Sequence, residues 1–362
     1  MISRQNLQAL VDFQPGEDMV LSVYLDADLS QQAKERCRLV LRERLQQVAD
    51  KSLAQDASRI EQFLDYEYDW QAKGVAIFSC QKRDFWQAWP IAVPVPTLVF
   101  AAERPYLKPL TDLLDEYEPY GVILVDQEGA RLFRVELGEI IEESESFGEA
   151  VKRHKQGGWS QATYQRRVDK QIMQNLKAAA DAAADLCKEH PCAALILAGA
   201  EETLAQFQPL LPTHLHKLII GSVAADMEAT SADILAKTMG LALEDKHKKE
   251  DALVAQTITA AAKGEAAVIG LADTAYATRE GRVHVLVVEQ GYEALGALCE
   301  SCGYVAPAQG QDCLFCGQGM RPVDNAVDLV TQKVLESGGK VRVVAGNAKL
   351  AESGHIGALL RY

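Results

Sequence analysis

The chain has 362 residues, 48% of them hydrophobic and 24% charged, an ordinary globular composition with length for two or three domains. Its formal net charge of −14 makes the average surface repel nucleic acid, so any RNA contact must come from a local basic patch. The longest apolar stretches, such as residues 192–200, are far too short to span a bilayer, and residues 1–6 lack a signal pattern, which predicts a soluble, cytoplasmic protein with no membrane partner.

The first segment opens on a helical pattern over residues 5–13, then a strand over 19–25 and a charged amphipathic helix from about 30 to 50. A second helix near 57–71 precedes extended runs at 74–80, 85–93 and 97–101, and a helix over 106–117 leads out. Together these make an N-terminal α/β domain, residues 1–118.

The middle domain, residues 119–230, starts with two apolar alternating runs around Gln127-Glu128-Gly129, the pattern of a β-hairpin. An acidic strand over 139–147, a loop and a long helix over 163–190 follow. In that helix Tyr164, Val168, Ile172, Leu176, Ala180, Ala183 and Cys187 recur at helical spacing. Strands at 194–198 and 217–223 then alternate with helices, an order that predicts a mainly parallel core.

A helix over 231–263 leads into the third domain, residues 231–362. That domain reads as helix 267–278, strand 284–289, ribbon 297–319, helix 325–337, strand 340–345 and a closing strand 356–362. The expected class is therefore α/β and multi-domain: three α/β domains with a zinc ribbon inserted in the third.

The ribbon is Cys299-x-x-Cys302 followed by Cys313-x-x-Cys316, with Gly303 and Gly317 after the two pairs. Two residues between cysteines let a tight turn aim both thiolates at one ion, and two such knuckles supply the closed tetrahedral set of a structural zinc site. Disulfides or a redox C-x-x-C are the other reading. The remaining cysteines, Cys37, Cys80, Cys187 and Cys192, are scattered, which fits a reducing compartment with one metal site.

A charge reversal marks the middle domain. Residues 136–149 hold Glu136, Glu139, Glu142, Glu143, Glu145 and Glu149 and no base, whereas 151–170 hold Lys152, Arg153, Lys155, Arg166, Arg167 and Lys170 with His154, against Asp169. Within the basic stretch lies Gly157-Gly158-Trp159-Ser160-Gln161. Paired glycines let a backbone approach a partner closely, and a Trp among cations suits stacking on RNA bases beside phosphates. Composition alone serves equally a solvated loop whose Trp159 folds back onto its own core.

Arg153-His154-x-x-Gly157-Gly158-x-Ser160, leading into Tyr164-x-Arg166, resembles the central loop of the archaeo-eukaryotic peptide chain release factor family. There a Lys-His precedes Gly-Gly-Gln-Ser, and a Phe-x-Arg follows on a long helix. The hairpin Ile123-Leu124-Val125-Asp126 to Leu132-Phe133 is similar to that family's middle domain, and the end from Ser353 to Tyr362 is similar to its closing strand. Archaeal members also carry a C-x-x-C…C-x-x-C ribbon in the third domain. The resemblance runs over residues 118–362 and is strongest to the bacterial, Pelota-related and Balon-like branch.

The resemblance implies a ribosome-binding translation factor that occupies the A site, touching rRNA and tRNA, with a translational GTPase as a further partner. It places Gly157, Gly158, Trp159, Ser160 and Gln161 near the peptidyl transferase centre and makes Arg153, His154, Lys155, Arg166 and Arg167 the RNA-binding residues. In the family the Gln of Gly-Gly-Gln helps water attack the peptidyl-tRNA ester. Here Trp159 stands in its place, and an indole offers only an N–H donor, so no catalytic residue is assigned. The N-terminal domain lacks the Asn-Ile-Lys-Ser and Tyr-x-Cys-x-x-x-Phe motifs of stop-codon readers. A role in ribosome hibernation or rescue, as a monomer, is therefore expected ahead of a peptidyl-tRNA hydrolase using Gln161, and ahead of a zinc-ribbon interaction scaffold.

Overall fold

The computed structural model describes residues 9–16, 18–48, 52–148, 161–307 and 312–362. The chain divides into two compact units, residues 1–243 and 244–362. The first unit holds two sheets and the second holds one, with a small three-stranded sheet beside it in sequence.

In the first unit β1 (Val20–Asp26) lies at the centre of an antiparallel sheet of order β3-β2-β1-β4, with β2 (Gly74–Cys80), β3 (Phe85–Ile91) and β4 (Leu98–Ala102). The sequence of β1 is a near-continuous apolar run because both of its faces are covered. On one face Leu21, Val23 and Leu25 pack with Leu41 and Leu45 of α1 (Lys34–Val48) and Ile60 of α2 (Ala54–Gln62). On the other, Tyr24, Phe78 and Trp89 pack with Leu110 and Leu113 of α3 (Lys108–Glu116) and with Leu10. Burial pushes the Tyr24 phenol up from its ordinary value, and its hydroxyl donates to the Tyr106 carbonyl at 2.6 Å.

The helix expected to run to residue 71 ends sooner. After α2 the backbone widens into a π turn, Phe63–Glu67, closed by Tyr68 N–H donating to the Phe63 carbonyl at 2.9 Å. Trp70 then sits at φ +60° and turns back into the core.

Asp56 of α2 is buried, and its Oδ1 accepts from Ser79 Oγ at 2.6 Å and from the Gln81 N–H at 2.8 Å. Asp56→Ala strands both donors, and a loss of roughly 2–4 kcal/mol is expected from urea melts of this unit. An unchanged midpoint would mean that water replaces the carboxylate there.

The second sheet has the order β7-β6-β5-β8-β9. The hairpin is as the sequence predicts: β5 (Tyr120–Val125) and β6 (Gly129–Glu136) join through a turn in which Asp126 Oδ1 accepts from the Glu128 and Gly129 N–H groups at 2.8 and 2.9 Å. β7 (Glu139–Phe147) adds antiparallel to β6, whereas β8 (Ala194–Ala198) adds parallel to β5 and β9 (Ile219–Val223) parallel to β8. The core expected to be mainly parallel is thus mixed, because the hairpin and its third strand extend the same sheet.

The acids of β7 are explained by place. β7 is an edge strand, and charges along an edge oppose pairing with another chain. Arg131 of β6 ties it down: Nε donates to Glu143 at 2.9 Å, while Nη1 donates to the Met227 and Ala229 carbonyls at 2.8 and 2.7 Å. On one face of the sheet Ile172, Leu176, Ala180 and Ala183 of α4 (Gln161–Glu189) cover Ile123 and Leu132, along with Phe207 of α5 (Glu201–Phe207) and Leu215 of the short α6 (Thr213–His216). The opposite face takes Ile234 and Leu241 from α7 (Ser231–Ala262).

The second unit has a sheet of order β10-β16-β11-β15, formed by β10 (Ala267–Ile269), β11 (Val283–Glu289), β15 (Lys340–Val344) and β16 (Ile356–Leu360). β11 pairs parallel with β15, and β16 lies antiparallel between β10 and β11. The helix expected over 267–278 is corrected: its first residues are β10, Gly270 turns the chain at φ +80°, and α8 runs Leu271–Arg279. α9 (Ala326–Glu336) is capped by Asn325, whose side chain accepts from the Val327 N–H. A short α10 (Ala348–Glu352), unforeseen in the sequence, is capped in the same way by Asn347.

Among the described residues, no helix is long and apolar enough to cross a membrane.

Candidate metal centre and middle-segment loop

The strands β12 (Gly296–Leu298), β13 (Val305–Ala306) and β14 (Arg321–Val323) form a small antiparallel sheet of order β13-β12-β14. It carries two knuckles built alike. In the first, Gly303 N–H donates to the Cys299 carbonyl at 2.7 Å and Cys299 N–H to the Tyr304 carbonyl at 2.8 Å. In the second, Gly317 N–H donates to the Cys313 carbonyl at 2.8 Å and Cys313 N–H to the Gln318 carbonyl at 2.8 Å. Gly303 and Gly317 stand at φ +77° and +69°, a conformation that lets each loop close tightly behind its second cysteine.

The four sulfurs converge. All lie within 4.8 Å of one another, with Cys299 to Cys316 and Cys302 to Cys313 each at 3.4 Å. A disulfide needs about 2.05 Å, so these are separate thiols. A tetrahedron with metal–sulfur bonds of about 2.3 Å has edges of roughly 3.8 Å, which falls inside the observed range. Four soft donors with no open position are compatible with a structural zinc.

The electrostatics point the same way. The Tyr304 N–H, with help from the neighbouring sulfurs, draws the Cys302 thiol down to about 6. At Cys316 the Gln318 N–H pulls down, but crowding by Cys299, Cys313 and Cys302 pushes the thiol up to about 11. Four thiolates this close cannot all be charged without a cation among them. Around the cluster sit residues the sequence did not single out. Phe315 lies edge-on to Tyr304 at 4.9 Å and close to Tyr276 at 5.2 Å, with Arg279 over its ring at 5.5 Å. The aromatic residues beside the knuckles were the signal available.

The other candidate site is only partly described. Arg153, His154, Lys155, Gly157, Gly158, Trp159 and Ser160 lie outside the described residues. Gln161 is the first residue of α4, and Arg166 and Arg167 are exposed on its early turns together with Lys170. The loop thus joins acidic edge strand β7 to a helix that opens with cations. Asn175, in the middle of α4, anchors that helix to the hairpin by donating from Nδ2 to the Gln127 carbonyl at 3.1 Å. The cysteine cluster belongs to residues 244–362 and the loop to residues 1–243.

Comparison with known proteins adds three findings. Residues 105–242 match the family described as Bacterial archaeo-eukaryotic release factor family 10. Over 219 residues the chain is 25% identical to "Peptide chain release factor subunit 1" of Methanopyrus kandleri, covering 58% of this chain and 53% of that protein. The chain therefore spans about half the length of the curated relative it matches. Among solved structures, similarity extends to archaeal Pelota in a ribosome-bound model with ABCE1, at 17% identity, 80% of this chain, 77% of that chain and a TM-score of 0.45. It extends also to Archaeoglobus fulgidus Pelota, at 17% identity, 75% of this chain, 77% of that chain and a TM-score of 0.33.

Proposed function

We propose that this member of the Pelota-related, bacterial branch of the archaeo-eukaryotic release factor family is a ribosome-binding translation factor. The observation that carries the reading is the family match over residues 105–242, a segment that includes the acidic edge strand, the Gly157-Gly158-Trp159-Ser160-Gln161 loop and the cationic start of α4. In this reading residues 119–230 present that loop to the peptidyl transferase centre from the A site, and Arg153, His154, Lys155, Arg166 and Arg167 meet rRNA or tRNA. Residues 1–118 form the head, and residues 231–362 carry a zinc held by Cys299, Cys302, Cys313 and Cys316. A translational GTPase is the protein partner implied, and the cytoplasm the place of action.

The physical logic rests on charge. A chain of net charge −14 gains nothing by gathering cations around an aromatic residue unless that segment meets phosphate. Co-sedimentation with vacant 70S ribosomes, weakening progressively as salt rises, is the result expected. Folded protein that stays in the supernatant at low salt would leave the interaction scaffold as the surviving reading.

Hibernation or rescue is favoured over peptide release because Trp159 replaces the water-orienting Gln. Little or no hydrolysis of peptidyl-tRNA on stop-codon ribosomes is expected in a peptide-release assay. Rapid release by the wild type, abolished in Gln161→Ala, would establish the hydrolase instead.

A further inference from the structure

The outer side of α1 carries chemistry that ribosome binding through the middle segment does not use. The π turn after α2 turns Tyr66 outward until it is 86% exposed. Such turns are rare and gather at functional positions. This one is held firmly: Arg38 Nη2 donates to the Leu64 and Asp65 carbonyls at 3.2 and 3.4 Å, and Trp70 Nε1 donates to the Leu64 carbonyl at 3.1 Å. Beside Tyr66, Leu39 of α1 is 57% exposed. Between them runs a groove of about 540 Å³ lined by Glu35, Arg38, Leu39, Arg42, Asp65 and Tyr66.

The charges of the groove select its occupant. Two cations and two carboxylates line it, so it is locally neutral in a chain of net charge −14. Arg38 is committed to Asp65 at 2.9 Å. Arg42 is not: half its side chain is exposed, and it reaches Glu61 only at 3.5 Å and Asp65 at 3.9 Å. Its guanidinium therefore keeps donors to offer, and Glu35 stands exposed about two turns earlier on the same helix. A nucleic acid would bring phosphates against Glu35 and Asp65. Another copy of this chain is repelled over most of its acidic surface, but it meets no net charge here, and it supplies each sign opposite the other.

We propose that this face is a two-fold interface between two copies of the chain, in which Tyr66 of each copy seats in the other copy's groove against Leu39, and Arg42 of each meets Glu35 of the other. A knob beside a hole is self-complementary under two-fold symmetry, as an isologous contact requires. Tyr and Arg are the side chains that most often carry such contacts. The patch is small, so the dimer is weak, with a Kd on the order of 10 μM.

Sedimentation velocity of the full chain over roughly 1 to 200 μM tests the interface. The wild type is expected to move from monomer to dimer, and Tyr66→Ala to raise Kd by about tenfold or more. Arg42→Glu and Glu35→Arg are each expected to stay monomeric, while an equimolar mixture of the two dimerises, because each copy then meets its opposite charge across the axis. All three substituted side chains are on the surface, so circular dichroism is expected to be unchanged. A wild type monomeric throughout, or a dimer indifferent to these substitutions, overturns the proposal. So does a Tyr66→Ala protein that loses affinity for vacant ribosomes and changes nothing in self-association, which would give the face to RNA. None of these outcomes depends on whether the middle-segment loop binds ribosomes.

Discussion

Purified protein is expected to carry about one zinc per chain, and Cys313→Ser to lose it. The four sulfurs form a closed set within 4.8 Å, and structural zinc sites of this kind supply on the order of 10 kcal/mol at neutral pH. Cys313→Ser keeps the backbone bonds of residue 313 to Gly317 and Gln318 but removes the thiolate that would tie this knuckle to the metal. The small sheet β13-β12-β14 should then loosen, since Tyr304, Ala306 and Met320 pack on the cysteines themselves. The main sheet of the second unit should survive, because Val283, Leu286, Val330 and Val334 make their own core. Metal content by mass spectrometry and hydrogen exchange over residues 296–323 would read the two effects separately. Zinc should also leave on acidification, since protons compete for the same sulfurs, and Cys316 takes one most readily of the perturbed pair. A metal-free native protein, with the knuckles closed by a disulfide, would sink the assignment.

What the sequence disclosed was what local chemistry writes into it. The knuckles were legible because two-residue spacing and a following glycine fix the loop without help from elsewhere. The hairpin was legible because Asp126 and Gly129 define their own turn between alternating runs. Pairing at a distance was not. β10 lies where a helix over 267–278 was expected, and it becomes a strand because Ala267, Val268 and Ile269 pair with Leu359, Ala358 and Gly357, about ninety residues on. The placement of β16 between β10 and β11 has no local signature for the same reason. Nor does the π turn, whose sequence Phe63 to Glu67 is that of a helix and whose widening answers to Arg38 and Trp70 from outside it. Nothing in the sequence marks Arg131; only the fold shows it spanning from Glu143 of β7 to the Met227 and Ala229 carbonyls. Of the middle-segment loop, the composition was legible, and the resemblance to the release factor family rested on its motif, since Gly-Gly flanked by cations is local in the sequence.

Trp159→Ala is expected to weaken binding to vacant 70S ribosomes by one to two decades without moving the melting temperature. Stacking of an aromatic side chain on a base contributes roughly 1–3 kcal/mol, and about 1.4 kcal/mol is one decade in Kd. The cations should behave differently. Arg166 and Arg167 are exposed on α4, and replacing both by Ala leaves the phosphates they neutralise with their counterions. That should flatten the dependence of log K on log salt by up to about 0.9 for each such phosphate if it belongs to a duplex. Trp159→Ala should leave that slope alone, because stacking releases no counterions. The pair of variants therefore separates two contributions that a single affinity cannot. The same measurement tests the competing reading in which Trp159 is part of its own core. Truncating a buried Trp costs roughly 3–5 kcal/mol of stability, so the melting temperature would fall and ribosome binding by the folded fraction would hold. A fall in stability with unchanged affinity would remove the aromatic from the interface and leave Arg153, Lys155, Arg166 and Arg167 to account for whatever binding remains.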